Sequence, residues 1–109
     1  MEDLELKCFE IIASVGAARS MYINAIAKAK NYEFEEARNM IKEGEEVFVK
    51  GHDAHADLIQ DEASGNGHAP TLLLLHAEDQ LMSAEGFKII ADELIQSYEK
   101  IKSLEDKIK

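Results

Sequence analysis

One histidine and one aspartate interrupt the run TLLLLHAEDQLM, Thr71 to Met82, which would otherwise be unbroken apolar helix. His76 and Asp79 lie three apart and Gln80 lies four from His76, so on a helix all three project over one part of its surface. Such groups need a reason to be there, because burying each of them unpaired costs about 2 kcal/mol or more. A neutral imidazole nitrogen is a nucleophile. His76 also falls about a turn and a half beyond the expected helix start, where the dipole and free amides favour an anion over a cation. A phosphoryl group on the ring is better tolerated there than a protonated ring. The competing reading is that His76 is a hydrogen-bonded core histidine, the ordinary fate of a lone histidine in an apolar stretch.

Five further residues bear on the chemistry. Gln80, one turn from His76, is a candidate hydrogen-bond donor to a transferred phosphoryl group, with a solvated or intersubunit polar residue as the alternative. Glu78 would repel a phosphoryl anion, so its side chain is expected to face away, into solvent or toward a partner. His52 and His55 lie three apart with Asp53 between them. A metal site on that pair would need further ligands and a dry pocket, and the ExxH spacing of di-iron bundles does not occur in the sequence, so a partly exposed helix face is the better reading. His68 is expected to face solvent.

The elements that must position these residues are helices. Leu4, Cys8, Ile11, Val15, Ala18, Tyr22, Ala25 and Ala29 advance by alternating fours and threes, which predicts a helix from about Asp3 to Lys30. A second apolar line, Ile12, Gly16, Ile23 and Ile26, contains small residues that would let a neighbour come close. Asn31 and Tyr32 break the pattern, and Glu33, Glu35 and Glu36 favour a new helix N-terminus. The next helix carries Phe34, Ala37, Ile41, Gly44, Phe48, Gly51, His55 and Leu58 at the same spacing, to about Ala63. Gly44 and Gly51 would each weaken an isolated helix by about 1 kcal/mol, so close packing on one neighbour is expected at both. Ser64 to Pro70, SGNGHAP, is the clearest loop. It lacks the lysine and hydroxyl spacing of a nucleotide-binding loop and the order of a dinucleotide turn.

The third helix is predicted from near Thr71 to the end of the chain. Beyond Lys88 its apolar residues, Ile90, Leu94, Ile101, Leu104 and Ile108, form a single stripe, whereas Leu72 through Ile90 is apolar around most of the circumference. One face can pack on the first two helices. The other needs a second partner, and self-association along the first half of this helix, with rotational symmetry, is the economical solution.

Bulk properties agree with one all-α domain spanning residues 1–109. Twelve basic against twenty-two acidic residues give a net charge of −10, which repels nucleic acid and anionic lipid. After Met1 the stretch EDLELK offers no basic leader region and no long apolar block, so neither membrane insertion nor export is expected and a cytoplasmic location is. The single cysteine, Cys8, falls on an apolar face and is expected to be a small buried hydrophobe.

The run LLLLHAEDQLM resembles the active-site signature of the lactose/cellobiose-type enzyme IIA of the bacterial phosphoenolpyruvate-dependent sugar phosphotransferase system. There an apolar run is followed by H, A, Q or E, D and, shortly after, LM, matched here by His76 to Met82. Chain length, the early GAAR of Gly16 to Arg19 and the loop before the third helix resemble that family too. The resemblance implies an up-down-up antiparallel three-helix bundle assembled as a homotrimer, a nine-helix bundle. It implies that His76 accepts a phosphoryl group from the phosphohistidine of HPr and passes it to the cysteine of enzyme IIB, in disaccharide uptake through the membrane component IIC. It further implies that Asp79 points to the threefold axis and shares a metal ion, usually Mg2+, with its symmetry mates. Three carboxylates on an apolar axis repel unless a hard cation or a proton lies between them. Two other classes stay open on the residues alone: a trimeric helical adaptor in which His76 and Asp79 are only interface polar groups, and a metal-binding helical bundle.

Overall fold

The structure, a computed structural model, describes residues 3–109. Three helices account for nearly all of them: α1, Asp3–Lys30; α2, Phe34–Ala63; and α3, Leu72–Ile108. They run up, down and up in a rod of 63 × 21 × 20 Å. No strand occurs among the described residues, and no helix there is long and apolar enough to cross a membrane.

The helix ends follow from local chemistry. After α1 the chain turns through Tyr32 at φ 63°, with Tyr32 N–H donating to Ala29 O and Glu33 N–H to Lys28 O. Those two bonds satisfy carbonyls that the helix leaves free. The same arrangement closes α2, where Gly65 at φ 89° donates to Glu62 O and Asn66 donates to Asp61 O. Here glycine takes the left-handed position without the steric cost that Tyr32 bears. At the start of α3 the Thr71 hydroxyl accepts from Leu74 N–H at 3.1 Å, a side-chain cap.

α1 is the middle of the bundle, packed along its length on both α2 and α3, which themselves barely meet. The predicted α1 seam is the buried one: Cys8, Ile11, Val15, Ala18, Tyr22, Ala25 and Ala29 are all at most 1% exposed. Ser14 joins them, its hydroxyl donating to Val47 O at 2.5 Å and accepting from Gly51 N–H at 3.0 Å. Those are the two groups that ordinarily bond each other across one helical turn, so Ser14 sits at the ladder of α2 itself.

Gly44 and Gly51 do face one neighbour, and it is α1. A Cβ at Gly51 would lie 2.8 Å from Val15 Cγ1 and 3.2 Å from Ser14 Cβ, and one at Gly44 would lie 2.6 Å from the Tyr22 ring. Gly51→Ala is therefore expected to destabilise the fold. The overpacking cost of about 1–3 kcal/mol outweighs the roughly 1 kcal/mol that alanine gains in helix propensity. Denaturant unfolding measures the difference; a variant as stable as the parent would show that the contact has room to relax. Gly16 is different: no atom lies within 4 Å of where its Cβ would be, so the close approach expected there is absent within the subunit.

Burial pushes the Tyr22 hydroxyl up from 10 to about 12, with Glu45 and Asp92 adding to the shift. The folded chain then keeps that proton at a pH where the unfolded chain has released it. Stability falls as pH rises through this window, by about 2–3 kcal/mol in all. Alkaline unfolding followed by tyrosinate absorbance checks this, and the Tyr22→Phe variant should lose that part of the slope.

The sequence pattern misjudges the outer half of α3. Its inward residues there are Ala91 and Ile95, while Ile90, Ile101, Leu104 and Ile108 are 45–85% exposed. The unpartnered apolar stripe thus continues beyond the first half of the helix. A stripe between charges looks the same from the sequence whether it meets the subunit's own core or nothing.

Candidate functional site

Thr71 fixes where α3 begins and Ala77 fixes how it is rotated. Ala77, Leu81 and Ala84 are fully or almost fully buried against α1 and α2, in a cluster with Cys8, Ile11, Val15, Ala54 and Leu58. Consecutive residues on a helix point about 100° apart, so the neighbours of Ala77 diverge to opposite sides. His76 turns outward and is exposed; Glu78 turns toward α2.

The imidazole of His76 lies in a shallow depression that it lines with Leu72 and Leu73. It is not a core histidine, and any partner docking on this end of α3 can reach it. Asp79 is also exposed and Gln80 is half-exposed, so the trio that the spacing places on one helix surface stays there. Thr71, the cap, is five residues before His76, which puts the ring at the second turn, near the positive end of the helix dipole.

Asp79 has a second context. Leu72, Leu75, Asp79, Met82, Gly86 and Ile89 follow one another in steps of three and four, the spacing of a packing seam. Leu72, Leu75, Met82 and Ile89 are 57–84% exposed, far more than large apolar side chains on a self-sufficient bundle. Asp79 is the only charged member of that seam. A Cβ on Gly86 would meet nothing within 4 Å, so the seam is open at this point as well.

Of the other histidines, His55 is placed differently from expectation. His55 Nε2 lies 2.5 Å from Glu78 Oε1, with the histidine side chain 15% exposed. Glu78 therefore does not simply face away into solvent: it reaches across to α2. The reason is geometric, since Ala77 holds the next residue on the α2 side. The pair also makes His55 an inward group rather than part of an exposed face. Its signal was present, because His55 continues the buried spacing Gly44, Gly51, Leu58, but periodicity gives a face and not a partner. His52 is exposed beside the Phe48 ring. His68 is exposed as expected, and with Glu62, Leu74 and Glu78 it rims a cleft between the end of α2 and the start of α3.

A contact that the sequence did not reveal ties α1 to α3 two turns beyond the site. Arg19 Nε donates to Ser83 Oγ at 3.0 Å, and its guanidinium lies 4.8 Å from the centre of the Phe87 ring. Cys8 is wholly buried, and burial pushes its thiol up, which leaves it a packing residue. Among the described residues no cluster of three or more His, Cys, Asp or Glu side chains forms a metal site within the subunit.

Known proteins share both the sequence and the three-helix shape of this chain. The sequence model of the family "PTS system, Lactose/Cellobiose specific IIA subunit" matches residues 6–99, which include the whole site. The chain is 43% identical to the lichenan-specific phosphotransferase enzyme IIA component of Bacillus subtilis, over 92% of this chain and 91% of that one. It is 36% identical to the cellobiose-specific EIIA component of Lactococcus lactis, over 89% of this chain and 84% of that one. The crystal structure of the cellobiose-specific enzyme IIA from Bacillus anthracis superposes with a TM-score of 0.91 at 34% identity, covering 94% of each chain. The protein whose three helices carry His76 to the surface in this way belongs to the lactose/cellobiose-specific IIA subunit family of the sugar phosphotransferase system.

Proposed function

We propose that the protein is a phosphocarrier in which His76 takes a phosphoryl group from the phosphohistidine of HPr and gives it to the cysteine of enzyme IIB. The observation that carries this reading is the exposure of the His76 ring on a helix segment whose next residue, Ala77, is sealed in the core. The nucleophile is thus held rigidly and presented outward, which is what transfer between two docking proteins needs.

In the first transfer the P–N bond to the HPr histidine breaks as one forms to a ring nitrogen of His76. In the second that bond breaks as a P–S bond forms to the enzyme IIB cysteine, and the thiol proton passes to the imidazole. The atoms balance with no further reactant, and the dipole of α3 favours the anion while it waits. Gln80 is half-exposed one turn along, and in this reading its side-chain amide donates a hydrogen bond to the phosphoryl oxygens. The apolar surface of Leu72 and Leu73 beside the ring offers a docking protein something to bury.

The exposed seam of α3 supports a homotrimer, a nine-helix bundle with the three α3 helices innermost. That assembly brings the three Asp79 carboxylates together on an apolar axis. Oxygen donors of this kind suit a hard divalent cation, Mg2+ first, which supplies charge neutralisation and no chemistry at His76. A single carboxylate per subunit cannot hold the ion alone, so the metal and the trimer stand together. The protein would act in the cytoplasm beside the membrane component IIC, which selects the sugar.

Incubation with phosphoenolpyruvate, enzyme I and HPr tests the reading. An acid-labile, base-stable phosphate on the protein, transferable to enzyme IIB, is expected. A protein that takes up none would leave the trimeric adaptor as the better account.

A further inference from the structure

Arg19 is half-buried and meets no carboxylate among the described residues, although acids outnumber bases twenty-two to twelve. Lys7, Arg38, Lys50 and Lys88 each meet one. The Arg19 Nε–H donates to Ser83 Oγ, and the Phe87 ring lies against the guanidinium. A guanidinium carries N–H donors on three nitrogens, so the two Nη groups stay available on a cation that α3 already holds in place.

The opposite flank of α3 has the complementary charge. Glu85 lies two residues beyond Ser83 and so projects about 200° away from it, toward α2. It is exposed, and with Glu45, Phe48, Val49 and Ile89 it lines a groove between α2 and α3. Glu45 is held by Lys88 Nζ at 3.0 Å, whereas Glu85 makes no ion pair among the described residues. Between the two flanks runs the exposed seam of Met82, Gly86 and Ile89.

A rotation about an axis along α3 leaves the height of every residue on that axis unchanged. Ser83 and Phe87 place the Arg19 guanidinium at the height of Glu85, which lies between them in the sequence. Cyclic assembly on the seam sets the α1 flank of one subunit against the α2 flank of the next. It therefore brings the cation of one to the acid of the next at equal height. The exposed Ile23, one turn past Arg19, and Ile90, seven residues past Ser83, extend the α1 flank, and Val49 and Ile89 offer apolar surface in the groove. An antiparallel pair on the same seam would set like flank against like, so that Arg19 never meets Glu85.

We propose that the α2–α3 groove at Glu85 receives a second copy of this chain, whose Arg19 guanidinium pairs with the Glu85 carboxylate and so sets the parallel, cyclic direction of assembly. The inference rests on self-association along the α3 seam and goes beyond it by naming which flank meets which.

Sedimentation over a concentration series tests it, with the fold of each full-length variant checked by circular dichroism. Glu85→Lys breaks no ion pair of the subunit. It is expected to raise the concentration for half-assembly at least about tenfold, because it sets like charges together at each contact. Adding Arg19→Glu to it should bring assembly back to within about threefold of wild type. In an Arg19→Met background, which keeps an apolar stem on Phe87, Glu85→Lys should change assembly less than about twofold. That arm decides the matter even where Arg19→Glu folds poorly. Glu85→Lys protein that assembles like wild type, or a Glu85→Lys effect equally large in the Arg19→Met background, overturns the pairing while the trimer stands. A wild type that sediments as a monomer at every concentration overturns the pairing and the trimer together.

Discussion

His76→Ala is expected to abolish phosphate uptake from phospho-HPr while leaving the fold intact. The side chain is exposed, makes up one wall of a shallow depression and contributes little to the core, so its removal should move the melting temperature hardly at all. The loss of transfer should be at least about 10⁴-fold, the scale on which removing a covalent nucleophile acts, because a carrier without its acceptor atom has no second route. Replacement by glutamine should be equally inactive, since an amide nitrogen is not a nucleophile. The separation of these two readouts matters. A variant that lost both structure and labelling would say only that His76 is structural, and the exposed ring makes that outcome unexpected. Labelled His76→Ala protein, at any rate near that of the parent, would move the acceptor to another of the four histidines.

Asp79→Leu should have the largest effect on assembly, and its direction is toward greater stability. Within the subunit Asp79 is exposed in a line of leucine, methionine and isoleucine that has no internal partner. If three copies close that line on a common axis, the carboxylates are gathered in an apolar interior. Replacing such a charge cluster by leucine is expected to stabilise the trimer by about 1–4 kcal/mol, since desolvating the charges costs more than their pairing returns. In such an assembly the wild type should lose melting temperature on addition of a chelator, and the leucine variant should not, because only the former would hold a cation in its folded state. Sedimentation would show trimers for both. Monomers for Asp79→Leu, or an equal chelator effect on both proteins, would remove Asp79 from the axis.

Most of the architecture was legible because each helix is written twice, once in its spacing and once in its ends. The α1 seam from Cys8 to Ala29, the breaks at Asn31 and Ser64 and the helix start near Thr71 all state the same boundaries, and the observed helices begin and end within a residue of these breaks. Gly44 and Gly51 were readable as close contacts because glycine in mid-helix is costly unless a neighbour needs the space. What spacing could not convey was partnership. Ile101, Leu104 and Ile108 look like core and are exposed; Glu78 looks like a residue to be turned away and is bound by His55. Ser14 gave no warning that it would enter the hydrogen-bond ladder of α2. Each of these depends on which helix lies opposite, information that resides in the packing of α1 between two helices that hardly touch. The chemistry was legible in another sense. The anomaly of His76 and Asp79 marked the place, but naming the reaction drew on the HAEDQLM pattern and not on the anomaly.

If the ring nitrogen of His76, exposed beside the buried Ala77, is the phosphoryl carrier, mass spectrometry on fragments of the labelled protein, kept alkaline throughout, should locate the phosphate there. The phosphate is expected on the fragment containing His76, and on none of those containing His52, His55 or His68. Phosphate on any of those three, with His76 unmodified, would contradict it.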